Sequence, residues 1–415
     1  MTSEIKQRIE QIRRGEVPEG YVKTALGLAP ANWKRYTFGD IYTERKEPGD
    51  ENLPLLMVSI HSGVSDGEVD AAELPKQVKR IEDKSQYKKA VSGDLVFNMM
   101  RAWQGAIGTV RTTGMVSPAY IAAEPNDKVY PLFMDYYSRT PQMINQIDRQ
   151  SYGVTDFRKR LYWDSFAPIS CTLPPIEEQQ KIATILTTQD RVIELKEKRL
   201  AEKQRQKKYL MQQLLTGKKR LPGFNGAWKT DCLDKLFFER KETNCENIEM
   251  LAITGTQGII PRKELDLKDN SSEDKSKYLR VCVGDIGYNT MRMWQGVSAY
   301  SNYEGIVSPA YTILKPSSSI NAKYFAYLFK MSEIVFLFYR FSQGLVDDTR
   351  NLKYENFKKI KVYYPPDIKE QTAIAEVLSA ADREIELLQQ DIEQEKQKKK
   401  ALMQLLLTGI VRVTV

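Results

Sequence analysis

The sequence predicts an α+β protein in which two pseudo-repeated α/β domains are separated by two long helices forming an antiparallel coiled coil. Three observations carry this. The segment from Pro174 to Gly217, opening PPIEEQQKIATIL and closing YLMQQLLTG, returns as PPDIKEQTAIAEVL to ALMQLLLTG between Pro365 and Gly409. Apolar residues recur at every seventh position in both copies. The stretches in front of the two segments repeat as well, so the order is domain, helix, domain, helix.

Each long segment is punctuated as a helix. Two prolines precede it, where a missing N–H costs nothing. Glu177 and Glu178, or Glu370, lie near the front and lysines toward the back, which suits the helix dipole. Gly217 and Gly409 close the two copies as left-handed caps. Leu186, Ile193, Leu200 and Leu214 form one seam, and Leu378, Ile385, Ile392 and Leu406 form its counterpart. Ile182 and Leu210 add a second row in one copy; Ile374, Ala381, Leu388 and Leu402 do so in the other. This is a coiled-coil pattern. A helix of roughly 40 residues is about 60 Å long at about 1.5 Å per residue. Lys207 and Lys399 occupy the one polar slot of each seam. They either loosen the coil locally or face a partner or a polyanion.

Composition sets the class. The chain has 415 residues, 41% hydrophobic and 10% aromatic, enough to bury cores in two or three domains. No apolar run reaches the ~18–20 residues of a membrane span. The first residues, MTSEIKQRIEQIRRGEVPEG, have no apolar signal-peptide core, and Ile5, Ile9 and Ile12 point to a short amphipathic helix. Four cysteines without a CxxC pair read as reduced thiols, so the expected location is cytoplasmic. The net charge of +8 admits a polyanionic partner. The segments expected are an N-terminal arm at 1–19, a first domain at 20–172, a first spacer helix at 173–217, a second domain at 218–363, and a second spacer helix with tail at 364–415.

Within the domains, WKRYTFGDIYTERKE (Trp33 to Glu47) pairs with WKTDCLDKLFFERKE (Trp228 to Glu242). SGDLVFNMMRAWQGAIG (Ser92 to Gly108) pairs with VGDIGYNTMRMWQGVSA (Val283 to Ala299), and GMVSPAY with GIVSPAY. Asp94 to Asn98 and Met115 to Ile121 read as strands; Tyr130 to Ile147 and Ala322 to Tyr339 read as helices, the second apolar enough to be core. The copies differ most at Ser65 to Ile81 against Ile260 to Ser272, and variable loops on a shared scaffold are where a target is chosen.

A search for catalysis returns little. There is no GxxxxGK[ST] or GxGxxG phosphate cradle, and no Asn/Asp-Pro-Pro-Tyr of an adenine methyltransferase. The single histidine, His61, is Thr256 in the second copy and has no second histidine with which to share a metal. The ERKE tetrapeptides, Glu44 to Glu47 and Glu239 to Glu242, contain the Glu-x-Lys of metal-dependent nucleases, with Glu44 and Lys46 as the candidate pair. Without an upstream strand-borne Asp, an exposed charged strand end is the better reading. The constellation most suited to nucleic acid is Asn98, Arg101, Trp103 and Gln104, matched by Asn289, Arg292, Trp294 and Gln295. Its competing reading is a brace for the turns at Gly105 and Gly296. Divergent basic positions that could read a sequence are Lys76, Lys79 and Arg80; Arg149, Arg158, Lys159 and Arg160; and Arg262, Lys263, Arg340, Gln343 and Arg350. No metal or catalytic residue is assigned.

The whole pattern resembles the specificity subunit of type I restriction–modification systems. The resemblance rests on Pro174-Pro175, Glu178-Gln179 and Ile182-Ala183, on Pro365-Pro366, Glu370-Gln371 and Ile374-Ala375, and on the linker RLPGFNGAW from Arg220 to Trp228. The second motif carries one extra residue before the helix. The resemblance implies two target-recognition domains, each reading half of a split site in double-stranded DNA, with the helices as a ruler. It implies docking of two methyltransferase subunits and, through them, restriction/translocase subunits. It further implies a non-catalytic chain that binds no cofactor, with S-adenosylmethionine, ATP and Mg²⁺ on its partners. The rival reading is a coiled-coil scaffold or adaptor whose domains bind protein; a stand-alone nuclease using Glu44 and Lys46 is the other.

Overall fold

The computed structural model describes residues 3–24, 27–50, 52–65, 86–155, 158–245, 248–255, 258–264 and 274–413. Contacts divide the chain into two compact units. One comprises Met1–Lys196 with Asp391–Val415, the other Glu197–Gln390. The division runs through both long helices.

Each unit holds a four-stranded antiparallel sheet of the same order. In the first, Tyr42–Arg45, Tyr120–Pro125, Leu95–Asn98 and Ile107–Thr109 are neighbours in turn. In the second, the order is Phe237–Glu239, Tyr311–Pro316, Ile286–Asn289 and Ser298–Tyr300. These are the repeated sequence stretches in register. A two-stranded ribbon closes each domain where the chain enters and leaves: Lys34–Thr37 with Ser170–Leu173, and Lys229–Cys232 with Lys361–Tyr364.

The repeated ERKE and Gly-Asp motifs explain one another. The Arg45 guanidinium donates to both oxygens of Asp94, at 2.7 and 3.1 Å, and Arg240 does the same to Asp285. Both arginines are about nine-tenths buried and both aspartates almost wholly so. Each aspartate also accepts a backbone N–H from the turn before its strand, Val91 or Cys282. The expected exposed strand end or turn holds for Lys46 and Glu47 and is corrected at its arginine, which is a buried clamp between two strands.

Two other expectations change. Tyr130 to Ile147 is two helices, Pro131–Tyr137 and Pro141–Arg149, because Pro141 lacks an N–H and Thr140 caps the second. Ala322 to Tyr339 likewise splits into Ala322–Leu328, capped by Asn321, and Ser332–Phe341. The latter buries Phe338 but leaves Phe336 and Tyr339 exposed. Met115 to Ile121 divides at Ser117-Pro118 into the strands Gly114–Val116 and Tyr120–Pro125.

The long helices span Ile176–Leu214 and Ile368–Leu406, 39 residues each. Gly217 and Gly409 follow them with φ of 72° and 71°, the predicted left-handed caps. The extra residue of the second motif, Asp367, accepts the Lys369 N–H at 2.8 Å and leaves the helix itself unchanged. The core of the first unit takes Ile182, Ala183 and Leu186 from the start of the first helix with Leu406 and Leu407 from the end of the second. The core of the second unit takes the reverse: Leu214 and Leu215 with Ile374, Ala375 and Leu378. The pairing is antiparallel in each unit. Lys196 meets Asp391 and Glu395 in one, and Lys203 meets Glu384 in the other.

The EQ of each helix start is buried and fully used. Glu178 accepts two bonds from Arg412, each 2.7 Å, and one from the Trp33 indole. Glu370 accepts two from Arg220 and one from the Trp228 indole. Gln179 accepts the Tyr130 N–H and donates to the Lys128 and Pro174 carbonyls; Gln371 accepts the Asn321 N–H and donates to the Pro365 carbonyl. So the glutamate fastens the tail of the other helix and the glutamine fastens the domain.

The polar seam slots are paired too. Lys207 forms an ion pair with Asp382 and lies over the Tyr327 ring; Lys399 does so with Asp190 and Tyr136. Each tyrosine donates to the same aspartate at 2.6 Å. Burial, then the carboxylate acceptor, pushes both phenols well above their usual range, so they remain donors. The lysines do not loosen the seam: each joins two helices and a domain at one point, which fixes register.

Removing Glu370 leaves a guanidinium and an indole without their acceptor. Glu370→Ala should therefore cost about 3 kcal/mol, the range for breaking a buried pair from one side. Denaturant unfolding checks this, with Glu370→Gln expected between the two.

Candidate nucleic-acid interface

The candidate residues of the first domain are gathered by one turn and one finger. The turn follows the strand Leu95–Asn98 and contains a 3-10 turn at Ala102–Gln104. Gly105 ends it at φ 99°, which an L side chain would strain. Asn98 Oδ1 accepts the Met100 N–H at 2.9 Å, and the Trp103 indole donates to the Met100 carbonyl at 3.1 Å. Asn289, Met291 and Trp294 repeat both bonds at 2.9 and 3.0 Å, and Gly296 ends that turn at φ 79°.

The constellation therefore divides. Asn98 and Trp103, with Asn289 and Trp294, brace their turns. Arg101 and Gln104, with Arg292 and Gln295, stand exposed beside them. Among the described residues, no side-chain hydrogen bond or ion pair occupies these four. They are the free donors and acceptors of each turn.

The finger is bounded by Tyr152 and Arg160, with residues 156 and 157 outside the described residues, and is matched by Gln343 to Asn351. Tyr152 and Arg160 exchange two backbone hydrogen bonds of 2.9 and 2.8 Å, and Gln343 and Asn351 exchange two of 2.8 Å. Glycine is needed behind each tip. A Cβ on Gly153 would lie 2.5 Å from the Arg158 backbone, and one on Gly344 2.7 Å from the Arg350 nitrogen. The finger is tied to the turn by Leu161 N–H to the Met99 carbonyl, and by Leu352 N–H to the Thr290 carbonyl.

Side chains reinforce the join. Lys159 lies 4.8 Å above the Trp103 ring and pairs with Asp148 at 2.7 Å. Arg350 stacks 4.0 Å over Tyr339, donates to its hydroxyl and to Asp347, and Tyr339 lies edge-on to Trp294 at 6.1 Å. Arg149 and Arg158 are exposed on the first surface, and Arg340 and Gln343 on the second. Arg160 is half-buried and donates to the Lys159 carbonyl. Structure thus brings residues scattered over some sixty positions onto one basic face per domain.

Arg262 and Lys263 stand elsewhere, on a 3-10 turn after the strand Gly258–Pro261, with Lys263 paired to Glu249 at 2.6 Å. Lys76, Lys79 and Arg80 lie outside the described residues. Sequence reading missed Tyr339 and the fingertips, Val154 and Leu345; alignment across the repeat could have marked the fingertips, whereas Tyr339 falls opposite Asp148. Glu44 and Lys46, the nuclease candidates, pair with each other at 3.5 Å. Among the described residues, no group of three or more His, Cys, Asp or Glu side chains is placed to hold a metal ion.

The profile of the type I restriction modification DNA specificity domain matches residues 79–205 and 234–397, once in each half. The chain belongs to that family. Two specificity-subunit relatives come from Methanocaldococcus jannaschii. One, provisionally named as the MjaX type I restriction enzyme specificity subunit, is 24% identical across 95% of this chain and 97% of its own. The MjaVIII type I restriction enzyme specificity subunit is 25% identical across 79% of this chain and 83% of its own. Among solved structures, the type I restriction-modification S subunit from M. genitalium has a TM-score of 0.55 at 11% identity, covering 92% of this chain and 97% of that one. A chain from a type I R-M system, solved to explain complex assembly and conformational transition, has a TM-score of 0.52 at 15% identity, covering 92% and 99%. These two likenesses show the fold. For a specificity-domain protein of this family, no described helix is long and apolar enough to cross a membrane.

The two roles within each turn separate by stability. Trp103→Phe loses a hydrogen bond to the backbone and should cost about 1 kcal/mol. Arg101→Ala and Gln104→Ala should each change stability by less than about 0.5 kcal/mol, as exposed substitutions do. Thermal unfolding of the three variants provides the comparison.

Proposed function

We propose that this chain is the sequence-specific DNA-binding subunit of a type I restriction–modification complex. Each domain reads one half of a bipartite site in double-stranded DNA, and the paired helices set the spacer and dock two methyltransferase subunits. The observation that carries this reading is the family match to both halves, each of which presents the same turn-and-finger face. Nothing in the relatives supports a protein-binding adaptor.

The chemistry of the face fits the role. Arg101, Arg292, Arg149 and Arg340 are exposed cations suited to phosphate, where affinity falls with salt. Gln104 and Gln295 add side-chain amides that can donate to phosphate oxygens, and the braced turns hold them without a further ordering cost. The two turns match and the surrounding loops differ, so the turns serve the backbone and the loops serve sequence. The chain is non-catalytic on this reading and holds no cofactor. Partner subunits supply S-adenosylmethionine, ATP and Mg²⁺, and restriction/translocase subunits join through the methyltransferases in the cytoplasm.

Exchanging residues 20–172 for the first domain of another family member should change one half-site and preserve the other. Methylation sequencing of a host carrying the hybrid with its methyltransferase reads this directly; alteration of both halves would refute modularity. The antiparallel pairs Lys196–Asp391 and Lys203–Glu384 define a matched heptad, 197–203 with 384–390. Deleting it from both helices should shorten the preferred spacer by about 10 Å of duplex, at about 1.5 Å per residue, with both half-sites kept. Selection from randomised-spacer DNA tests it, and an unchanged spacer would remove the ruler. Arg101→Ala and Arg292→Ala should each reduce the slope of log affinity against log salt by about 1.

A further inference from the structure

The fingers carry a feature that phosphate binding leaves unexplained. At their tips stand aliphatic residues, Val154 at 94% exposure and Leu345 at 100%. These are equivalent positions of the internal repeat, each directly after the glycine that lets the finger close. Val346 follows Leu345 at 59% exposure. A single exposed apolar side chain is ordinary. An aliphatic one at the equivalent position of both copies, on a loop closed by paired backbone bonds, is a presented group.

Its surroundings say what it is presented to. Arg158 and Lys159 follow Val154 by four and five residues, and Arg350 follows Leu345 by five. Trp103 backs Lys159 and Tyr339 backs Arg350, so the cations are held close to the finger's root. An exposed apolar side chain ahead of cations at the root suits a duplex groove: phosphates line its walls and bases lie at its floor. Water-filled grooves offer two apolar targets, a thymine methyl group or the face of a base at an opened step.

We infer that Val154 and Leu345 are base-contacting fingertips, one per half-site, that read DNA by apolar contact. This rests on the DNA-binding reading above. It adds a specificity element that carries no hydrogen bond. Val against Leu at the tip then gives the two domains different reach into the groove.

The test uses the full chain assembled with its methyltransferase, and DNA carrying the recognition sequence found by methylation sequencing. Leu345→Ser should weaken binding about ten-fold, and Leu345→Met should retain it. Val154→Ser should weaken binding through the other half-site. Replacing thymine by deoxyuridine position by position in the second half-site should locate a methyl contact, as a loss in wild type that Leu345→Ser no longer shows. If the contact is with an opened step, 2-aminopurine placed there should brighten with wild type and stay dim with Leu345→Ser. Wild-type affinity in Leu345→Ser and Val154→Ser, or equal loss on sequence-unrelated DNA, would overturn the fingertip role while leaving the DNA-binding reading intact. Failure of the wild-type complex to prefer its own site would overturn both.

Discussion

A buried glutamate at the start of each long helix holds the architecture together. Glu178 and Glu370 are almost wholly enclosed, and a carboxylate in such a place must be matched by charge and by hydrogen bonds. Each is matched by a guanidinium fork and an indole. The guanidinium comes from just past the opposite helix: Arg220 follows the first helix and reaches the start of the second, and Arg412 follows the second and reaches the start of the first. The glutamine next in sequence binds domain backbone. Two adjacent residues thereby set helix, opposite tail and domain in fixed relation. The lysine–aspartate–tyrosine contacts repeat this logic about three turns further along, so register is specified at two points of each pairing.

That rigidity has a use on the face proposed to bind DNA. A surface that discriminates bases must hold its groups before the target arrives, because ordering them on binding would cost affinity. The turn satisfies its own Asn and Trp and leaves Arg and Gln outside. The finger is closed by backbone bonds and stacked on the turn by a cation and a ring. On the proposed reading, affinity and order come from different residues of one short motif, and neighbouring loops can vary without disturbing either.

Much of this was readable in the sequence because the chain repeats itself. The helices, their caps and the domain order follow from heptad spacing, prolines, glycines and recurrence. The site was half readable. Asn98, Arg101, Trp103 and Gln104 stood out by recurring, but their division into brace and free group depends on which atoms meet the Met100 carbonyl and N–H. Spacing does not carry that. Arg45 looked like a surface charge because its partner, Asp94, leads into a strand that only the sheet brings near it, with Tyr120–Pro125 between the two. Likewise, Lys207 looked like a flaw in the seam until Asp382 and Tyr327 stood around it. The helix break after Leu328 was hidden by an apolar stretch around it, whereas the break at Pro141 was marked by Ser138-Arg139-Thr140-Pro141.

The cross-over of the tails also orders the making of the protein. The second unit is continuous, Glu197–Gln390, so all of its parts leave the ribosome together. The first is not: it needs Asp391–Val415 beside Met1–Lys196. Until Arg412 is synthesised, Glu178 has its indole and no cation, and the core of the first unit lacks Leu406 and Leu407. The domain begun first is thus completed last. A ribosome that stops before residue 391 releases a second unit with all its segments and a first with an open end, so completion of the first domain reports that translation has passed through the whole second helix.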